Sequence, residues 1–375
     1  MYAHKVSDVV YETSLAFFTH ILYILLKLKV IKEWNFMIIR YPRQVKEGDY
    51  VGITAISSAA NLDKVEVAEN NLKKLGFNIK ETENVRTVYK LVSSSGKERA
   101  NQFMKLWEDE EVSYIIAARG GEFAMEMLPY LHDYKEKLNT LAPKWMQGYS
   151  DTSLINFYLT TNYNIATVHS QNLGDYAMRK LHHSLLDAIN MVKLEEGKEY
   201  IEESFYKFAK RDEENDVEAE YELVYDNEYK TLDGKKECKV SGRAIGGCID
   251  VIKTVIGTPY DNVKNFCTQF EEGMIWCIEN CELSVPDLYR ALWQMREAGW
   301  FDNVKAFLIG RTYSKEEVGE FTYQNAIEDA LGFFNVPIIY DIDIGHVPPQ
   351  ITFVNGAYLE FEYKAGKGKF IQKYI

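Results

Sequence analysis

From Asp49 onward the chain keeps repeating one pattern, in which a short apolar run ends in glycine or small polar residues and gives way to an amphipathic stretch of helical length. DYVGITAISSAA reads as a buried strand running into small residues, and LDKVEVAENNLKKLG as a helix closed by Gly76. FNIKET, SYIIAARGG and the start of APKWMQGYSDTSLINFYLTTN are the next strands, and IATVHSQN is a further one. SGKERANQFMKLWEDEEV, EFAMEMLPYL and a segment from about Thr152 are the intervening helices. This order predicts an α/β fold whose N-terminal domain is a parallel sheet with helices on both faces.

At 375 residues the chain is long for one core, so two domains plus extensions are expected. The N-terminal α/β domain is read as 37–190. A charged connection with some strand content spans 191–240, where glycine and proline become scarce. A C-terminal strand-rich α/β domain follows over 241–375, from SGRAIGGCIDVIKTVIGTPY to ITFVNGAYLEFEY. A net charge of −13 without a basic stripe excludes nucleic acid as a partner. The five cysteines are odd in number and mostly have apolar neighbours, which predicts buried thiols in a reducing, cytoplasmic setting. Cys277 and Cys281 lack the further ligands of a zinc site, so no metal site is read.

Residues 1–36 stand apart. Ser14 to Ile31 is apolar, but His20 and Lys27 interrupt it and no small-residue cleavage site follows. Met37 is a second possible start. An unstructured leader, an interfacial amphipathic helix and a true anchor stay open, and membrane contact is expected only if residues 14–31 form that interfacial helix.

In a parallel sheet, chemistry collects at the carboxyl ends of the strands. Arg119-Gly120-Gly121-Glu122-Phe123-Ala124-Met125 is a strand-to-helix turn where paired glycines can leave N–H groups open to an oxyanion. Its plainer reading is tight strand–helix packing. Gly148-Tyr149-Ser150-Asp151 is a second sharp junction, with a hydroxyl at its apex or simply a helix cap at Ser150 or Asp151. The third is Asp343-Ile344-Gly345-His346 before Pro348 and Pro349, where a rigidly held imidazole suits proton transfer. Glu279, after an apolar strand, can orient an imidazole or merely meet solvent; His169 and Asp151 are weaker candidates of the same kind.

Taken in order, GDYVGITAIS, SGKERANQF, IIAARGGEFAMEMLPYL, MQGYSDTS, GRAIGGCIDVIKTVIGTPYDN, MIWCIENCEL, LYRALWQMREAGWF and DIDIGHVPPQ resemble the motifs of the LD-carboxypeptidase family of serine peptidases, which includes the microcin C immunity peptidases. The resemblance runs from about Met37 to the end. It implies a nucleophile in the first domain and Glu279 and His346 as acid and base in the second, with Gly121 and Met125 as oxyanion donors. Arg119, Tyr149 and Ser150 would line the cleft, where the charge of Arg119 suits a substrate carboxylate. It also implies hydrolysis of a murein tetrapeptide or a peptide-nucleotide antibiotic without metal or cofactor, by a cytoplasmic dimer.

One departure matters. The family's serine lies three residues after the second glycine, and that position is Ala124, which offers no nucleophilic atom. Losing the nucleophile of a hydrolytic triad costs on the order of a millionfold in turnover. Three accounts follow: an inactivated form of an enzyme, a natural non-catalytic binder, or a diverged enzyme using water or another residue such as Ser150. An amidotransferase-like domain sharing the sheet plan would want a cysteine at the turn, and none is there.

Overall fold

The computed structural model describes residues 39–210 and 216–375; the segment 14–31, and with it every reading of residues 1–36, lies outside the described residues. In chain order the strands are β1 (Tyr50–Thr54), β2 (Asn78–Glu81), β3 (Val112–Ala117), β4 (Trp145–Gly148), β5 (Thr167–His169), β6 (Glu199–Glu203), β7 (Lys207–Ala209) and β8 (Leu223–Asp226). They continue with β9 (Lys230–Thr231), β10 (Glu237–Cys248), β11 (Met274–Glu279), β12 (Val304–Gly310), β13 (Ile338–Ile342), β14 (Phe353–Asn355), β15 (Tyr358–Lys364) and β16 (Lys367–Lys373). Among the described residues no helix is long and apolar enough to cross a membrane.

Two sheets carry the fold. The first has the order β14-β5-β4-β3-β1-β2, with β1 to β5 parallel and β14 antiparallel at the edge. The second has the order β6-β16-β15-β10-β11-β12-β13-β9; β10 to β13 are its parallel centre and antiparallel strands flank them. This is the mixed α/β architecture expected from the sequence, a parallel sheet beside a strand-rich one. Central strands such as β3 and β11 are buried along their whole length, which is why they read as unbroken apolar runs.

Local chemistry starts the helices where the sequence signals them. Asn61 accepts from the N–H groups of Asp63 and Lys64 at the start of Leu62–Lys74, and Ser95 does the same for Glu98 in Gly96–Glu108. The stretch after Gly121 differs from the single helix expected there. A 3-10 turn, Ala124–Met127, precedes two short helices, Leu128–Asp133 and Lys135–Thr140. The charged stretch 191–240 supplies β6 and β9 to the second sheet and the β7-β8 ribbon, while β14 returns to the edge of the first.

Candidate active site

In the first sheet the chain leaves β1 toward β2 on one side and reaches β3 on the other, so the carboxyl ends of β1 and β3 form a topological switch point, where α/β sheets leave a crevice. Ser58 follows β1, Gly120 and Gly121 follow β3, and Tyr149 and Ser150 follow β4. All of these border one cavity of about 410 Å³. The opposite wall comes from carboxyl ends in the second sheet: Cys248 of β10, Cys281 after β11, and His346 after β13. Parallel strands of both sheets thus point their chemically useful ends into the same space.

His346 Nδ1 lies 2.9 Å from Glu279 Oε2. Glu279 is the last residue of β11 and is fully buried, whereas the His346 side chain keeps 21% exposure toward the cavity. Burial works against the imidazolium, yet the Glu279 carboxylate, with the Cys281 thiol adding to it, outweighs that and holds the His346 pKa well above its usual value. Gly345, at φ +96°, is required here: a Cβ on it would come within 2.7 Å of Glu279 Oε2. Buried Arg311 fixes the loop from below, donating to the carbonyls of Val347 (3.1 Å) and Pro349 (2.6 Å) and pairing with Asp343. The Pro348–Pro349 bond is cis.

Across the cavity the double-glycine turn is held by a buried carboxylate. Asp151 Oδ2 accepts the Ala124 N–H at 2.7 Å and the Ser57 hydroxyl, and Ser57 Oγ in turn accepts the Phe123 N–H at 3.3 Å. Asp151 stands at the N-cap position of Thr152–Tyr163 but its side chain caps nothing there, contrary to the plainer expectation, because it is spent on the turn. Burial pushes its pKa up, and the Ser57 and Ala124 hydrogen bonds oppose that. Fully buried Arg99 donates to the Phe123 carbonyl at 2.9 Å. Gly121, at φ +145°, sits so close to β1 that a Cβ would come within 2.2 Å of Ser58 Oγ.

The sequence candidates therefore separate into two groups. Gly121, Arg119, Tyr149, Ser150 and His346 border the cavity, and Glu279 stands directly behind His346. The Tyr149 and His346 rings lie 4.8 Å apart. Ser150 has φ +60°, a strained conformation for a residue with a side chain, and its Oγ packs against Gly120. Ala124 is fully buried and is not part of the cavity wall, and neither is the half-exposed Met125. His169 is fully buried beneath the site against Phe353.

Sequence reasoning passed over Cys248, Asp250 and Ser57. Cys248 ends β10 after Gly246-Gly247, the same strand-end glycine pair that marked Gly120-Gly121, and that signal was available. Asp250 accepts the N–H groups of Cys281, Glu282 and Leu283 and so shapes the loop beside His346. A second cavity of about 780 Å³ shares Tyr149, Cys281 and His346 with the first and is walled by Tyr221 and Glu222 of the charged stretch.

Comparison with known proteins matches residues 51–170 to the LD-carboxypeptidase N-terminal domain and residues 241–361 to the LD-carboxypeptidase C-terminal domain. A Vibrio cholerae protein that carries a carboxypeptidase name is 28% identical over 83% of this chain and 92% of its own length. The microcin C7 self-immunity protein of Escherichia coli is 24% identical over 76% of this chain and 80% of its own. Among solved structures, an MccF-like protein from Bacillus anthracis superposes with a TM-score of 0.76 at 22% identity, covering 89% of this chain and 99% of that one. MccF in complex with aspartyl sulfamoyl adenosine gives 0.75 at 20% identity, covering 90% and 99%.

Proposed function

The chain belongs to the LD-carboxypeptidase family, and from that premise we propose that it hydrolyses small peptides or peptide conjugates in the cavity between its two sheets. The observation that carries this reading is the buried Glu279 carboxylate 2.9 Å from His346, facing the double-glycine turn across one cavity. A buried carboxylate aimed at an imidazole orients it and stabilises its charged form, which is what proton transfer during amide cleavage needs. Arg119 on the cavity wall receives the substrate carboxylate, and the Gly121 N–H, at the same wall, receives the developing oxyanion; Met125, the second donor the resemblance implies, lies outside that wall. With alanine at 124, the attacking oxygen is that of water or of Ser150. Its proton passes through His346 to the departing amine as the C–N bond breaks; where Ser150 is the attacker, water then cleaves the resulting ester and His346 returns the proton to Ser150.

Substrates of two classes fit the reading: a murein tetrapeptide ending in D-alanine, and an aminoacyl sulfamoyl nucleoside of the kind bound by MccF. The test follows amine release by mass spectrometry from both compounds. Slow release is expected from the chain as it is, faster release from Ala124→Ser, and none from Glu279→Gln. If Ser150→Ala stops release while binding survives, Ser150 is the nucleophile.

A second reading is a non-catalytic protein that sequesters the same ligands. It is favoured by one observation: Ala124 is buried and its N–H is already bound to Asp151. Tight binding with no release from any form, Ala124→Ser included, would overturn hydrolysis and leave this reading standing.

A further inference from the structure

We propose that a third cavity, between the start of the helix His183–Val192 and strands β6 and β8, binds a small organic ammonium ion: a primary amine carried on an apolar body. This cavity measures about 580 Å³ and shares no wall residue with the two cavities at His346. Its size suits a compact organic molecule rather than a bare ion. Phe205, Leu223 and Ile351 line it, and Ile201 and Tyr206 on its border are left 50% and 83% exposed. Apolar side chains held open to water in this way gain from an apolar partner.

A buried side chain on the same wall indicates the polar end of that partner. Glu202 of β6 borders the cavity at 6% exposure. Its Oε1 accepts the Thr352 N–H at 3.2 Å, while its Oε2 has no hydrogen-bond partner among the described residues. A buried carboxylate oxygen without a donor is costly, and an ammonium supplies both the donor and the opposite charge. Burial first, and then the charge of Asp187, push the Glu202 carboxyl well above its usual range, the mark of a carboxylate without a cation beside it. Asp187 and Glu203 border the same cavity, so its wall carries three carboxyl groups against one lysine, Lys207.

The rings of the wall also accept a cation. The Phe205 and His183 rings lie 5.2 Å apart, and the face of a phenylalanine ring attracts an ammonium. His182 does not repel one: burial, with the charge of His183 adding to it, pushes its pKa down to about 4, so it is neutral at pH 7. Its Nδ1 already accepts the Ser184 N–H at 3.2 Å. An anionic ligand would instead meet Asp187 and Glu202 at close quarters.

The inference is independent of the hydrolase reading and is read without turnover, so either can fail alone. The full chain is titrated with 2-phenylethylamine and with its neutral counterpart 2-phenylethanol, and binding is followed by ligand-observed NMR. Saturable binding of the amine is expected, at least ~10-fold tighter than that of the alcohol, the scale of one hydrogen bond to a charged group. This comparison needs no variant to fold. Glu202→Gln should remove the preference, weakening the amine ~10-fold and leaving the alcohol unchanged. Ile201→Lys, at a half-exposed position on an edge strand, sets a like charge at the rim and should also weaken the amine. Equal affinities for amine and alcohol, or a preference that survives both substitutions, overturns the proposal. So does the absence of saturable amine binding up to about 10 mM, the weak limit for so small a ligand.

Discussion

Two histidines stand at carboxyl ends of the two sheets, and they are treated in opposite ways. His169, the last residue of β5, is fully buried, and its pKa is pushed down to about 3, chiefly by burial and also by the nearby His346. His346 meets the cavity and is held well above its usual value because the Glu279 carboxylate lies against it. Burial opposes charge at both; only the second has a counter-ion to overcome it. The same division runs through the whole site. The first half keeps the double-glycine turn, clamped by Asp151 and Arg99, with a buried alanine where the family resemblance implies a hydroxyl. The second half keeps reactive side chains. A half built from backbone geometry can lose one side chain and retain its shape, whereas a half built from paired side chains has nothing left if either partner goes.

The largest effect expected from this contrast lies in the second half. In the Ala124→Ser background, Glu279→Gln should lower turnover on the order of 10⁴-fold, the scale seen when the orienting acid of a triad loses its charge. Substrate affinity should stay within a few-fold, since Glu279 has no exposed surface. Steady-state kinetics beside equilibrium binding separates the two. Comparable losses in binding and turnover would mean that Glu279 holds the cavity wall rather than the imidazole.

In the first half the corresponding position is Asp151, and there the loss should appear as stability. Asp151→Ala strands the buried Ala124 N–H and the Ser57 hydroxyl together, which costs about 3 kcal/mol at ~1–3 kcal/mol per orphaned group. Urea unfolding checks it. A cost below about 1 kcal/mol would mean that Arg99 alone holds the turn.

Both halves of the fold were legible because strands buried on both faces leave long apolar runs, and because glycine marks the ends where the backbone must turn in close quarters. Glu279 and His346 were legible only through the ordered set of motifs; alone, each is a common residue at a strand end. Three things were not legible for physical reasons. That Ala124 lies behind the cavity wall depends on Asp151, twenty-seven positions away, drawing its N–H inward. For Cys248 the glycine pair marked a strand end, but nothing in SGRAIGGCID says that β11 will set the Glu279 carboxylate beside it. Nor does the charged stretch announce that its strands complete the second sheet, because β6 alternates weakly and its pairing partner β16 lies more than 160 residues later.

The third prediction concerns the histidine of the first half. Its folded pKa of about 3 lies below the usual histidine value of about 6.5, so the unfolded chain gains the proton first as pH falls. The stability this represents is complete above pH 6.5, declines as pH drops through the interval, and is fully lost near pH 3. By pH 5 the decline should be on the order of 2 kcal/mol, at ~1.4 kcal/mol per unit. His169→Phe, which keeps a ring against Phe353, should remove that part of the acid sensitivity. The checking measurement is the difference between variant and parent in denaturant unfolding at pH 7 and pH 5, which cancels the carboxylates common to both. Equal pH slopes would show that His169 is not the buried neutral group described.

The smallest effect belongs to Tyr149, where a ring from the first half meets the imidazole of the second at 4.8 Å with the planes 49° apart. A tilted contact of this kind contributes ~0.5–1.5 kcal/mol beyond area burial. Tyr149→Phe keeps the ring and should leave stability within about 0.5 kcal/mol of the parent, whereas Tyr149→Leu should cost about 1 kcal/mol. The two substitutions separate hydroxyl from ring. If the ring matters because it presses on His346, Tyr149→Leu and His346→Ala made together should cost less than the sum of the two changes made singly, since each removes the same contact. Strict additivity in that cycle would mean that Tyr149 merely fills space above the first sheet, and that the two halves share a cavity without supporting each other's side chains.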